Sequence, residues 1–154
     1  METLQHSDSI VVARSPEELY EMVSDVTRMG EWSPVCKVCW WDEGDSARVG
    51  AMFTGRNITP ERTWETRSQV VVADTGREFA FVVQATGTRW GYMFSAVEGG
   101  TEITESWQFP PSGFEFFQQL FGDDAPAQVE IRHEGAREGI ATTLAAIKST
   151  AEST

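Results

Sequence analysis

Apolar residues recur along this chain with two different periods, and the switches between them mark out its elements. A short β-rich run at 9–13 leads directly into Ser15-Pro16-Glu17-Glu18. Ser15 can cap a helix there, Pro16 suits its first turn, and Glu18 completes a capping box. Leu19, Met22, Val23 and Val26 then return at spacings of three and four, which predicts a helix to about Arg28, with Gly30 as its break. Glu31-Trp32-Ser33-Pro34 reads as a second short turn of helix or a tight corner.

Beyond Pro34 the period falls to two. Extended segments at 37–41, 51–58, 62–73, 78–85 and 89–97 are separated by short polar turns, and Glu98-Gly99-Gly100 leads into a last strand at 101–109. Turns this short join antiparallel neighbours, because a parallel crossover takes a dozen or more residues. Alternation places Trp90, Tyr92, Phe94 and Ala96 on one side of their strand and Ile103, Glu105, Trp107 and Phe109 on one side of the next. Both sets are expected to face inward. The segment after Pro110-Pro111 carries Phe114, Phe116, Phe117, Leu120 and Phe121, too apolar for a solvated loop, and reads as a lid or short helix over an opening.

From 127 to about 149, Val129, His133, Ala136, Ile140, Leu144 and Ile147 form one helical stripe. Gly135 and Gly139 each cost about 1 kcal/mol relative to alanine in a helix interior, which points to close packing or a bend where the helix crosses the sheet. Positions 150–154 are expected to fray. The pattern as a whole is α+β: about seven antiparallel strands, two short helices after the first strand, and a long C-terminal helix around which the sheet curves.

Composition sharpens this picture. With 154 residues the chain has room for a single domain spanning 1–154. Six Trp, nine Phe and two Tyr exceed what a minimal core of that size needs, and suit the wall of a cavity as well as an aromatic-rich core. Acidic residues outnumber basic ones 24 to 12, so the long-range field repels nucleic acid and anionic lipid surfaces. No apolar stretch approaches the roughly 20 residues of a spanning helix, and the first residues lack the basic and apolar regions of a secretory signal. A cytoplasmic protein without stable membrane insertion, monomeric or homodimeric, is expected.

Cys36 and Cys39 have CxxC spacing. A zinc tetrad would need two further ligands, which His6 and His133 do not offer at finger-like spacing. On a strand, residues three apart point to opposite faces, so both cysteines are expected to be structural. No phosphate-binding loop or triad spacing stands out either, so no metal and no cofactor is expected.

The order of elements is similar to that of the START-like or SRPBCC superfamily, which includes the birch-pollen-allergen fold. Positions 26–34 (VTRMGEWSP), 49–57 (VGAMFTGRN), 76–81 (GREFAF), 88–92 (TRWGY) and 100–107 (GTEITESW) resemble the actinobacterial polyketide cyclase/dehydrase-type SRPBCC proteins, over almost the whole chain. The resemblance implies a helix-grip fold. It also implies a small hydrophobic ligand, such as a lipid, polyketide or aromatic metabolite, bound in an internal cavity, with transport as an extension of binding. A polyketide cyclase or dehydratase is the alternative, and a toxin-like or co-chaperone-like interaction module a second.

On such a fold the aromatic wall is expected from Trp32, Phe53, Trp64, Phe81, Trp90, Phe94, Trp107, Phe114 and Phe117, with Ile140 from the long helix. Four polar residues are candidates for binding or catalysis. Glu105 lies mid-strand on an inward face, where desolvation would raise its pKa. His133 sits in the helical stripe, Asn57 shares parity with Phe53 and Gly55, and Tyr92 adds a hydroxyl to an aromatic wall. The bland readings stay open beside these: a bulge or partner satisfying Glu105, a packing histidine, an exposed amide.

Overall fold

The computed structural model describes residues 2–153. Strands β1 (Leu4–Val12), β2 (Cys36–Trp41), β3 (Met52–Ile58), β4 (Thr63–Asp74), β5 (Glu78–Val83), β6 (Arg89–Val97) and β7 (Gly100–Phe109) form one sheet in the order β1-β7-β6-β5-β4-β3-β2. Every adjacent pair is antiparallel. Helix α1 (Pro16–Ser24) and a 3-10 turn (Val26–Glu31) connect β1 to β2 across the width of the sheet, α2 (Pro111–Phe121) follows β7, and α3 (Ala125–Glu152) runs over the concave face. This is the α+β helix-grip architecture.

Local signals set the start of α1. The Ser15 hydroxyl accepts from the Glu18 backbone N–H at 3.2 Å, and the Glu18 carboxylate accepts from the Ser15 N–H at 3.4 Å, a closed capping box. The helix ends at Ser24, earlier than its apolar spacing suggests, because Asp25 leaves helical geometry and caps the 3-10 turn by accepting from the Thr27 N–H at 3.1 Å.

Two boundaries moved because of tertiary pairing. β1 begins at Leu4 rather than near residue 9, since it pairs with β7 along its whole length, from Leu4 opposite Phe109 to Val12 opposite Thr101. Edge pairing of this kind leaves little trace in hydropathy. The fraying expected from 150 is not found among the described residues, with Thr154 lying outside them: α3 continues to Glu152, Ala151 is buried, and Glu152 accepts from the Ala13 N–H at 2.9 Å and from Lys148 Nζ at 2.7 Å.

The core lies between the sheet and the helices. Val12, Leu19, Val26, Phe79, Ile103, Ile140, Leu144 and Ile147 are almost wholly buried. Along α3 the expected stripe of Val129, Ala136, Ile140, Leu144 and Ile147 is the buried one, with His133 half-buried within it. On β6, Tyr92 and Phe94 are buried, whereas Ala96, near the hairpin, is exposed.

Candidate functional site

Between the sheet, α2 and the first half of α3 lies a cavity of about 380 Å³. Its floor is aromatic: Phe53 and Phe81 meet edge to face with ring centroids 4.9 Å apart, and Trp64, Trp90 and Trp107 complete the sheet side. Phe116, Phe117 and Leu120 of α2 contribute one wall, so the apolar segment after Pro111 does cover the opening. The helix contributes only small groups opposite the sheet, Gly135, Ala136, Gly139 and Thr143, with Ile131 and Arg132 beside them. Leu120 and Ile131 are about half exposed, so the cavity opens to solvent there.

Its inner polar group is a pair. Tyr92 on β6 and Glu105 on β7 are register partners with their side chains on the same face. The Tyr92 hydroxyl donates to Glu105 Oε2 at 3.0 Å, and both residues line the cavity. Glu105 is only 3% exposed, and its Oε1 has no hydrogen-bond partner among the described residues. Burial pushes the Glu105 carboxyl up to about 8, against the opposing pull of the Tyr92 hydrogen bond. Burial, reinforced by Glu105, also holds the Tyr92 phenol well above its ordinary range. Near neutral pH Glu105 is therefore mostly a neutral acid. With Oε2 accepting from Tyr92, the acid proton falls to Oε1, the oxygen without a partner.

Asn57 is buried at the cavity wall, where its amide donates to Thr66 Oγ1 at 3.2 Å and to the Trp64 carbonyl at 3.4 Å. Its donors are spent on the scaffold. The structure also corrects the reading of the cysteines. A bulge where the register of β2 against β3 shifts between Cys36 and Val38 turns both side chains inward, so the strand rule of opposite faces fails. A Cβ on Gly55 would lie 2.9 Å from Cys36 Sγ and 3.6 Å from Cys39 Sγ, so glycine is needed for the sulfurs to share this space. Their mutual hydrogen bond draws the Cys36 thiol below its ordinary value and, together with burial, pushes the Cys39 thiol above it.

Five residues expected at the cavity lie off it. Trp32 is buried under the 3-10 turn, with the Arg28 guanidinium over its ring at 5.6 Å. Phe94 packs edge-on against Tyr20 of α1 at 5.7 Å, because the inward face of β6 near the hairpin meets α1 instead of the void. Phe114 sits outside the wall against Phe109, at 5.2 Å. His133 stacks on Trp107 at 5.5 Å, the packing role of a helical-stripe histidine, and Ile140 is fully buried core. Phe53, Asn57, Trp64, Phe81, Trp90, Tyr92, Glu105, Trp107 and Phe117 do line the cavity.

Sequence reasoning missed the cationic mouth. Arg62, in the β3–β4 turn, and Arg132, on α3, lie over the same indole: Arg132 Cζ is 4.5 Å and Arg62 Cζ 5.3 Å from the Trp64 ring centroid. Seventy positions separate them, and nothing in the local pattern links the two. Among the described residues no three His, Cys, Asp or Glu side chains gather as a metal ion would require, and no helix is long and apolar enough to cross a membrane.

A curved sheet gripping a helix over an apolar, aromatic-walled cavity is a hydrophobic-ligand-binding fold. The chain belongs to the polyketide cyclase / dehydrase and lipid transport family, whose model matches residues 3–147. It is 49% identical to the polyketide-cyclase-like protein Cgl2372 from Corynebacterium glutamicum, over 98% of this chain and 93% of that one, with a TM-score of 0.72. Two more distant structures share the fold. The di-domain ARO/CYC StfQ of the steffimycin biosynthetic pathway is 17% identical with a TM-score of 0.74, the match covering 99% of this chain and 51% of StfQ. Ara h 8.0201 is 15% identical over 99% of both chains, with a TM-score of 0.67. No curated protein matches the chain.

Proposed function

We propose that this protein binds a small, largely apolar molecule through a carbonyl oxygen that accepts from Glu105. The observation that carries this reading is the buried Oε1 of Glu105, which has no partner among the described residues, in an aromatic-walled cavity of about 380 Å³. A buried polar group without a partner is costly, and a ligand carbonyl would supply the missing acceptor. The volume falls in the ordinary range for small-molecule sites. An open cavity with a converging polar pair also favours a ligand over a purely protein-binding module, whose interior would be filled by its own side chains.

The test compares 2-acetylnaphthalene with 2-ethylnaphthalene, alike in shape but differing in the carbonyl, as displacers of the neutral fluorescent probe N-phenyl-1-naphthylamine. The ketone is expected to bind about three- to tenfold more tightly at pH 6.5, the range of one neutral hydrogen bond. That preference should fade above pH 8 as Glu105 loses its proton. Glu105→Leu should abolish it, and Glu105→Gln, which keeps a donor, should retain it without the pH dependence. Equal affinity for the two compounds in the wild-type protein would refute the role of Glu105.

Catalysis on a ketone is the second reading, favoured by one observation: a buried carboxyl held at about 8 can both donate and accept a proton near neutral pH. Such a group suits proton transfer at the carbon beside a carbonyl, as a cyclase or dehydratase needs. Deuterium uptake at the methyl group of 2-acetylnaphthalene in D2O, measured by NMR, separates the readings. Protein-dependent exchange lost in Glu105→Gln supports catalysis, and no exchange above background supports binding alone.

A further inference from the structure

We infer that the cavity mouth is an anion site, and that the natural ligand is amphipathic, with a carboxylate seated between Arg62 and Arg132 and its apolar body inside the cavity. This rests on the binding reading above and adds the chemical class of the ligand.

The arginines are unlike most others in the chain. Arg28, Arg56, Arg67, Arg77, Arg89 and Arg137 each hold a carboxylate. Arg62 and Arg132 are in no ion pair among the described residues, although the protein carries a net charge of −12. The neighbouring acid that also lines the cavity, Glu65, is engaged with Arg56 at 3.1 Å. What surrounds the two guanidiniums is aromatic: Trp64 beneath both, Phe117 5.5 Å from Arg132 and Phe121 5.2 Å from Arg62.

Aromatic faces orient a guanidinium without neutralising it, and leave its N–H donors free. Partial burial and the like charge of Arg62 act together against the charged form of Arg132. Two cations held near each other, partly out of water and with no carboxylate partner among the described residues, are an unfavourable arrangement that an anion would relieve. Guanidinium forks match the planar two-oxygen geometry of a carboxylate. Both arginines also line the cavity, so a head group there continues into the aromatic interior. The elements involved are the β3–β4 turn, α2 and α3, which together frame the open end.

The experiment measures displacement of N-phenyl-1-naphthylamine by decanoate and by decan-1-ol, which share a chain and differ in the head group. The quantity read is the ratio of their affinities, so a general weakening of the cavity cancels. Wild-type protein is expected to prefer decanoate by about tenfold to a hundredfold, the range for a charge-assisted hydrogen bond, and the preference should shrink in 0.5 M NaCl. In the double variant Arg62→Gln/Arg132→Gln the ratio should approach one, while Arg132→Lys should keep part of it. Equal affinities in the wild type, or an undiminished preference in the double variant, would overturn the proposal. A parallel NMR titration with decanoate, following the Trp64 indole and the Arg132 side-chain Nε resonance, separates the two levels of the argument. If the neutral probe does not bind but decanoate still shifts both signals, the cavity reading fails and the anion site stands. If decanoate moves neither signal, the anion site is wrong even where apolar probes bind.

Discussion

The two halves of α3 cross the same sheet with opposite results. In the second half, Ile140, Leu144 and Ile147 are buried to 2% exposure or less and fill the space down to the strands. Toward the first half, His133 still stacks on Trp107, but the residues that line the cavity up to the helix midpoint are the small Gly135, Ala136 and Gly139, and the space they leave is open. The backbone is one continuous helix through both. Side-chain volume therefore decides where this fold is core and where it is site. The same contrast runs along β7, where Ile103 meets the filled half and Glu105 and Trp107 meet the void.

Truncation in the packed half should give the largest loss of stability. Leu144→Ala is expected to cost about 2–5 kcal/mol in urea unfolding, the usual range for a buried leucine, while probe affinity of the folded protein stays within about twofold. A strong loss of binding at full folding would mean the halves are not separable.

The next effect belongs to Glu105. Its folded value of about 8 lies above the ordinary carboxyl value of 4.5, so the native state keeps a proton that the unfolded chain has released. The stability this contributes is present in full below about pH 4.5 and is lost as pH rises to 8, at up to about 1.4 kcal/mol per pH unit. Urea unfolding at pH 5, 7 and 9 should show that decline, and Glu105→Gln should flatten it. An unchanged slope in the variant would show that the carboxyl is ionised and solvated in the native protein.

Filling the open half should reverse the balance between binding and stability. Ala136→Leu places added volume toward the cavity, so probe affinity is expected to fall at least about tenfold while stability changes by no more than about 1.5 kcal/mol. Crystallography or NMR of the variant would confirm that the side chain occupies the void. Unaltered probe binding would place the ligand elsewhere.

The smallest effect is at Gly135, where a Cβ would meet nothing within 4 Å. Gly135→Ala is expected to stabilise α3 by about 0.5–1 kcal/mol through helix propensity alone, read as a rise in the unfolding midpoint. Destabilisation would mean that the glycine is needed for a bend.

Much of the frame was legible before the structure. The capping box at Ser15 and Glu18, the antiparallel meander and the apolar stripe of α3 are local patterns, and sterics and periodicity turn them into structure without distant help. The candidate site was legible in part. Parity placed Tyr92 and Glu105 on inward faces, and pairing across β6 and β7 made them partners. Parity also placed Phe94 inward, correctly, but could not distinguish the part of the sheet under α1 from the part under the cavity. His133 shows the same limit on a helix: the stripe told its side, and the stacked Trp107 ring took up its imidazole.

The sequence by itself determined the order of elements, their faces, the acidic charge balance and the aromatic supply, because each depends on composition or on neighbours a few residues apart. Only the tertiary structure decided that a bulge joins Cys36 to Cys39, that Arg62 and Arg132 share one indole, and that Oε1 of Glu105 is left without a partner among the described residues. A cavity is the volume that distant side chains fail to fill, and periodicity, which sets direction but not depth, carries no record of it.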